Sequence, residues 1–312
     1  MEYERLRLLV KISKLYYYDN MSQKEIANKL FMSRSQIGRF LEQARNYGIV
    51  NIKVMDPFSK EENYREGILK KYGLDDIVVV ETDSDDKEIK GRRIAEELSY
   101  KLNENLKDEA NIGISAGTTI ESCSRYTNIY SLNRYRFISL MGGIEYENDE
   151  WNSNKNCVRF AENSKGITME LNAPMVIRSK LLKRELSNDK SIKPVIDMYR
   201  NLDLSIIGIG EITENSTLGK SEMTQDEIFR AKEKGAVAVV CGSFLGADGG
   251  EVCIEESDNF FGAKLDDIDR CPEVIAVAYG LEKVDAIKAT IRSGAINILY
   301  TDVETAELLL RD

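Results

Sequence analysis

Apolar residues recur in two different rhythms along this chain of 312 residues. Near the start they fall three to four positions apart, as one face of a helix requires. Residues 3–18 place Leu6, Leu9, Val10, Ser13 and Tyr17 on such a face. After Ser22 the stripe is Ile26, Ala27 and Leu30, with Glu25 three residues beyond the serine. At that spacing each side chain can bond the other's backbone N–H and start a helix. After Ser33 the stripe is Ile37, Phe40 with Leu41, and Ala44. Residues 49–54 alternate as a strand does and lead into Asp56-Pro57, where this segment is predicted to end.

From about residue 60 the rhythm changes. Helical spacing over 64–72 and 87–106 alternates with short apolar runs at 76–80, 111–115, 136–141, 167–171, 204–209, 236–241, 274–278 and 297–300. Short apolar strands separated by amphipathic helices predict a mostly parallel sheet with helices on both faces. The expected fold is therefore α/β: a small all-α domain over 1–55 and a larger doubly wound, Rossmann-like domain over 56–312.

Two short helices joined by a three- or four-residue turn form a helix-turn-helix, whose second helix enters the major groove of double-stranded DNA by its first residues. The charge distribution agrees. Residues 1–55 hold ten Lys and Arg against five Asp and Glu, a net of +5 in a chain of −10, so the remainder carries −15. A basic segment on an acidic remainder is the layout of a polyanion-binding module attached to something else. At the start of the second helix, Arg34, Ser35, Gln36 and Arg39 are predicted to face outward beside the cap Ser33. Arg forks onto guanine, Gln onto adenine, and Ser reaches bases or phosphate. Ser22, Gln23 and Arg45 are placed for phosphate contacts, which set register without reading sequence.

Five of the predicted strands end in glycine-bearing turns: "SAGTT" from Ser115, "MGG" with Gly142 and Gly143, "GIGE" with Gly210 and Glu211, "CGSFLGADGG" with Asp248, and "AYGLEK" with Gly280 and Lys283. Ligands bind outside the carboxyl ends of parallel strands, so these turns predict one shared pocket. "GISAGTTI" itself reads two ways. Gly113, Ser115 and Gly117 fit a G-x-S-x-G elbow with a serine nucleophile. The same letters fit a turn whose N–H groups, with Thr118 and Thr119, cradle a phosphate.

Composition narrows that choice. Histidine is absent, which removes the usual base of a serine hydrolase and the commonest metal ligand. No metal or other cofactor is predicted. The five cysteines are odd in number and form no C-x-x-C pair, so they read as small buried residues in a reducing compartment. No apolar stretch approaches a membrane span, and the first ten residues lack a signal-peptide layout. A soluble cytoplasmic protein without a membrane partner is expected.

The landmarks "SQKEIANKLFMSRSQIGRFLEQARNYGIVNI", "NIGISAGTTI", "LMGGIE", "LNAPMVIRS", "GAVAVVCGSFLGADG" and "VIAVAYGLEKVDAIKATIRSGAINILYTDVETAELLL" run through nearly the whole chain. In order and spacing they resemble the SorC/DeoR-type bacterial transcription regulators. The resemblance implies a sensor domain akin to sugar-phosphate isomerases and deaminases that binds its ligand without turning it over. It implies that Gly117, Thr118 and Thr119 hold the phosphate of an effector, with Lys283 nearby and Ser115 as a further donor. Gly142, Gly143, Pro174 and the 208–211 loop would line the rest. It also implies a repressor, released by a sugar phosphate or similar metabolite and working as a homodimer or homotetramer. The chain departs from the family where relatives read G-D-I-C-x-R-F-F-D: Val239, Ser243 and Gly246 replace two acids and an arginine, and Met141 replaces a lysine found in some relatives. The rival expectation is an enzyme of the isomerase or deaminase kind with a DNA-binding head, whose base would be Glu211, Asp248 or Asp302.

Overall fold

A computed structural model describes residues 2–50, 52, 59–82, 84–103, 106–130, 133–143, 150–214, 216–221 and 223–311. The chain divides into two compact units, Met1–Asp56 with Asn128–Tyr130, and Pro57–Thr127 with Ser131–Asp312. Residues 51, 53 and 54 of the strand expected over 49–54, and the Asp56-Pro57 junction, lie outside the described residues.

The first unit holds three helices, α1 (Glu2–Tyr17), α2 (Gln23–Leu30) and α3 (Arg34–Asn46). Leu9, Ile12, Ile26, Ile37 and Ala44 are fully buried. The buried face of α1 runs through Leu9, Ile12, Ser13 and Leu15, while Val10 is 38% exposed. The expected stripe was thus rotated by about one position, since neighbouring helical residues lie about 100° apart. Between α2 and α3, Phe31 takes the left-handed conformation at φ 54° with its ring almost wholly exposed. Such a φ is uncommon for a bulky residue.

The second unit begins with α4 (Lys60–Tyr72) and β1 (Asp76–Val80), then α5 (Lys87–Asn103), β2 (Asn111–Ile114), α6 (Thr118–Tyr126) and β3 (Arg136–Ser139). It continues through α7 (Ser153–Glu162), β4 (Ile167–Met169), α8 (Lys180–Ser187), α9 (Lys193–Met198), β5 (Leu204–Gly208) and β6 (Gly210–Glu211). Next come α10 (Thr217–Lys220), α11 (Gln225–Glu233), β7 (Ala236–Val240), β8 (Ser243–Gly246) and α12 (Leu265–Ile268). The last elements are β9 (Val274–Val277), α13 (Val284–Ser293), β10 (Ile298–Asp302) and α14 (Val303–Arg311).

Seven strands form one sheet in the order β1-β10-β9-β5-β2-β3-β4, every neighbouring pair parallel. Strands buried on both sides read as continuous apolar runs, and β10 is buried at every position. From β2 the chain steps outward through β3 to β4; from β5 it steps the other way through β9 to β10. The order therefore reverses between β2 and β5, and a crevice opens beyond the carboxyl ends of strands at such a reversal.

One predicted strand belongs elsewhere. The run at 236–241 forms β7, the middle strand of a separate antiparallel sheet β6-β7-β8. The reason is local. Cys241 and Gly242 follow β7 at φ 46° and 79°, and two consecutive positive φ values make the hairpin turn that sends a strand straight back. The "CGSFLGADGG" stretch is thus largely a hairpin strand, not a crossover loop.

Candidate functional site

In the first unit both expected caps form as reciprocal boxes. The Ser22 Oγ accepts the Glu25 N–H at 3.3 Å and the Glu25 carboxylate accepts the Ser22 N–H at 2.8 Å. The Ser22 hydroxyl, which donates to the Glu25 carboxylate at 2.7 Å, and then the Ser22 N–H hold that carboxyl below its ordinary pKa. At α3 the Ser33 Oγ accepts the Gln36 N–H at 3.2 Å, and the Gln36 side-chain oxygen accepts the Ser33 N–H at 2.9 Å. Ser35 shares a 3.0 Å hydroxyl contact with Ser33. Gln36 and Ser35, expected as readers of bases, therefore spend side-chain atoms on starting the helix. A carboxamide whose oxygen is held in the cap cannot fork onto adenine. Arg34 and Arg39 are exposed and make no ion pair among the described residues. Gln23 lies over Gly38, its oxygen 3.7 Å from where a Cβ would stand, and Arg45 is exposed in the last turn of α3.

The second unit carries a cavity of about 430 Å³ at the carboxyl ends of β2, β3, β5 and β9. Ser115, Gly117, Thr118, Thr119, Gly210, Glu211 and Lys283 all line it. Ser115 closes the sheet reversal. Its N–H donates to the Ile206 carbonyl at 3.1 Å, and its Oγ accepts the Gly208 N–H and donates to the Ala116 carbonyl, both at 3.0 Å. A nearly wholly buried hydroxyl with both capacities filled joins β2 to β5; it is not an activated nucleophile.

Gly117 follows at φ 130°, a backbone conformation that favours glycine, and its N–H bonds the Trp151 carbonyl at 2.9 Å. It stands at the N-cap of α6 and provides no side-chain cap. The first N–H groups of any helix lack partners within it, so α6 offers open donors and the positive end of its dipole. Thr119 adds a hydroxyl that the Lys283 ammonium reaches at 3.2 Å. Burial holds Lys283 below the ordinary lysine value, and Glu211 pulls the other way. The mouth carries a Lys87–Glu282 ion pair at 2.6 Å. With Arg125, Lys220, Glu88 and Glu121 also in the lining, the titratable charges balance four against four. Anion attraction here is local to Lys283 and the α6 terminus.

The family model described as "Putative sugar-binding domain" matches residues 56–311, most of the chain. The chain belongs to this family. It is 27% identical over 312 residues to the "Deoxyribonucleoside regulator" of Bacillus subtilis, covering 100% of each chain. It is 27% identical over 311 residues to the "Transcriptional regulator LsrR" of Escherichia coli (strain K12), covering 97% of this chain and 94% of that one. Among solved structures it is similar to the full-length sorbitol operon regulator SorC from Klebsiella pneumoniae, with TM-score 0.76, 24% identity, and 98% and 99% of the chains covered. A DeoR family transcriptional regulator from Listeria monocytogenes matches with TM-score 0.74 and 25% identity over 81% of this chain and 100% of that one. This is a sugar-binding regulator of transcription of the SorC/DeoR type, and the enzyme alternative is not favoured.

Five residues expected in the regulator's pocket, Gly142, Gly143, Pro174, Asp248 and Gly280, stand outside its lining. Gly142 packs against backbone, since an added Cβ would come within 2.7 Å of the Ala173 and Pro174 carbonyl oxygens. Gly143 is equally tight against Asn152. Their neighbours Met141 and Met175 reach the cavity in their place. Asp248 is exposed in the turn after β8, where its Oδ1 accepts the Gly250 N–H at 3.0 Å. Gly280 spends its N–H on Thr305 at 2.9 Å and sets the turn that presents Lys283. Asp302, a candidate base, is buried against Lys90 at 2.8 Å, with its other oxygen on the Thr305 N–H at 2.7 Å.

The lining also holds residues that sequence reasoning missed. Ser122 and Arg125 follow Thr118 by four and seven positions on α6, a helical spacing that points them the same way. Met141, Met175, Leu218, Val239 and Phe260 carried no sequence signal beyond their apolarity. Of the three positions that depart from the family's G-D-I-C-x-R-F-F-D, only Val239 faces the cavity. Cys241 lines it too, but burial pushes its thiol up to about 12, so it is inert. Cys253 is exposed, against the expectation that all five cysteines are buried.

Proposed function

We propose that the regulator binds operator DNA through the first turns of α3 and releases it when a phosphorylated sugar or related metabolite fills the cavity. Arg34 and Arg39 read base edges, while Ser22, Gln23, Ser33, Ser35 and Arg45 position the helix on phosphates. The effector's phosphate meets the open N–H groups of α6, the Thr118 and Thr119 hydroxyls and Lys283. The observation that carries this reading is the start of α6: a glycine N-cap with no side-chain cap, lining a cavity beside the Lys283 ammonium. The names of the relatives, a deoxyribonucleoside regulator and a sorbitol operon regulator, support carbohydrate metabolism as the controlled process.

The division of labour falls at residues 55 and 56, DNA binding before and effector binding after. One head spans few base pairs, so a homodimer or homotetramer presents paired heads to inverted half-sites. The cytoplasm is the proposed compartment; among the described residues no helix is long and apolar enough to cross a membrane. A thermal-shift screen across phosphorylated sugars, each with its unphosphorylated counterpart, tests the reading. A ligand at a hundred times its dissociation constant adds about 2.7 kcal/mol of stability. Stabilisation by unphosphorylated sugars alone overturns the phosphate site.

A further inference from the structure

One wall of the cavity has a chemistry the rest lacks. Met141, Met175, Leu218, Val239 and Phe260 come from five separate segments and meet in one hydrophobic cluster. All but Val239 are less than one-tenth exposed. None carries a strong hydrogen-bonding group. Val239 is partly exposed, and Gly210 of β6 fixes where it stands, since a Cβ there would come within 2.6 Å of the Val239 Cγ1. Elsewhere in the lining α6 presents Thr118, Thr119, Ser122 and Arg125, and the α10 segment adds Ser216, Thr217, Lys220 and Ser221. A ligand held by its phosphate at the start of α6 and long enough to reach the apolar wall turns part of its skeleton to it. A hydroxyl pressed on the apolar wall gives up its water bonds and gains none, whereas a methylene there displaces water from five apolar side chains.

We propose that the effector is a phosphate monoester whose carbon skeleton carries a deoxygenated, alkyl segment, and that this segment seats on the Met141, Met175, Leu218, Val239 and Phe260 wall. The inference rests on the reading of Gly117–Thr119 as the phosphate site and adds what lies beyond the phosphate. Val239 is the specificity-determining residue: a branched apolar side chain at the ligand's edge of the wall, where an acceptor would instead invite a hydroxyl.

The test titrates the full-length protein with inorganic phosphate, n-butyl phosphate and erythritol 4-phosphate, two four-carbon monoesters that differ in their three hydroxyls. n-Butyl phosphate binds roughly tenfold or more tightly than erythritol 4-phosphate, the scale of discrimination an apolar pocket achieves. Val239→Thr, which exchanges a methyl for a hydroxyl at nearly constant size, narrows that ratio severalfold, and Val239→Asp reverses it. Circular dichroism checks both folds, and Val239→Thr decides should the aspartate variant fail to fold. Equal or tighter binding of erythritol 4-phosphate to the wild type overturns the inference and leaves the phosphate site standing. A ratio unchanged in the folded variants also overturns it. Silence toward inorganic phosphate and both esters overturns the phosphate reading itself, and this inference with it.

Discussion

The helices α3 and α6 both begin at a surface proposed to bind a partner, and they begin in opposite ways. Ser33 and Gln36 exchange side-chain bonds with each other's N–H groups, so the start of α3 is closed by its own residues. Gly117 has no side chain, so the start of α6 stays open toward a cavity. The first arrangement spends the terminal donors on rigidity and presents side chains, above all Arg34 and Arg39. The second presents the backbone itself, with Lys283 alongside at 3.2 Å from Thr119. A closed helix start suits a reader of base edges, which needs protruding forked donors. An open one suits an anion that must approach the backbone closely, and a Cβ would obstruct that approach.

The sharpest way to break this comparison is to remove what α3 presents. Arg34→Ala with Arg39→Ala should cost about 1–3 kcal/mol of operator affinity for each base-reading arginine. Both side chains are exposed, so the thermal midpoint should hold. Fluorescence anisotropy on operator DNA measures the loss. A folded double variant that binds as wild type does would show that α3 does not read DNA.

The counterpart at α6 is Thr118→Val with Thr119→Val, which keeps shape and helix but removes both hydroxyls. Operator binding without ligand should stay as in wild type, while the ligand's effect on it, typically about 5- to 150-fold in such couplings, should vanish. An unchanged effector concentration for half-release places the phosphate elsewhere. The stability consequences differ in cause. Ser33→Ala opens the α3 cap and should cost about 0.5–2 kcal/mol in denaturant melts; the threonine variant loses the acceptor that buried Thr119 offers Lys283 and should cost about 0.5–1.5 kcal/mol. Ser115→Ala belongs with the cap: it removes the acceptor of the part-buried Gly208 N–H and should cost about 0.5–1.5 kcal/mol.

The same contrast explains how much of each helix start is legible in the sequence. The α3 box lies within four consecutive residues, so Ser33 announced it locally; only the second role of Gln36 went unread, because one residue type serves both caps and bases. The cavity is assembled from strand ends up to about 170 positions apart, Ser115 to Lys283. Its glycine turns flagged the polar half, since an unusual φ at Gly117 and Gly280 demands a particular residue. Its apolar half was silent, because Met175 and Phe260 look like any core residue until the fold turns them toward a void. Glycines also misled: Gly142 and Gly143 exist for tight packing on carbonyls and Asn152, and the turn after β7 exists to reverse a hairpin. Turn chemistry reports backbone demands, and a ligand is only one source of such demands.

The smallest expected effect is the most diagnostic of the open helix start, because it isolates Lys283. Burial lowers its pKa from the ordinary 10.5, Glu211 only partly offsetting this. A bound phosphate dianion favours the ammonium, so binding raises that pKa again and takes up a proton in the window between the two values. Affinity for a phosphate ester should therefore fall as pH rises through that window, tenfold for each full unit by which the pKa differs. Stability of the empty protein should move the other way. The unfolded chain, with the higher pKa, binds more protons in the window below 10.5, so folding gains as pH rises through the lowered value. Lys183, lowered to about 8 by burial, adds to that gain, so the comparison must be between wild type and Lys283→Met under the same buffer series. Lys283→Met should bind the ester more weakly with no alkaline decline, and Lys283→Arg, permanently charged, should lose the decline while keeping most of the affinity. All three proteins should share the rise between about pH 5 and 7, because it belongs to the ester, whose second proton leaves near about pH 6. An alkaline decline that persists in both variants, measured by calorimetry, would assign the proton to another group and remove Lys283 from the phosphate's contacts.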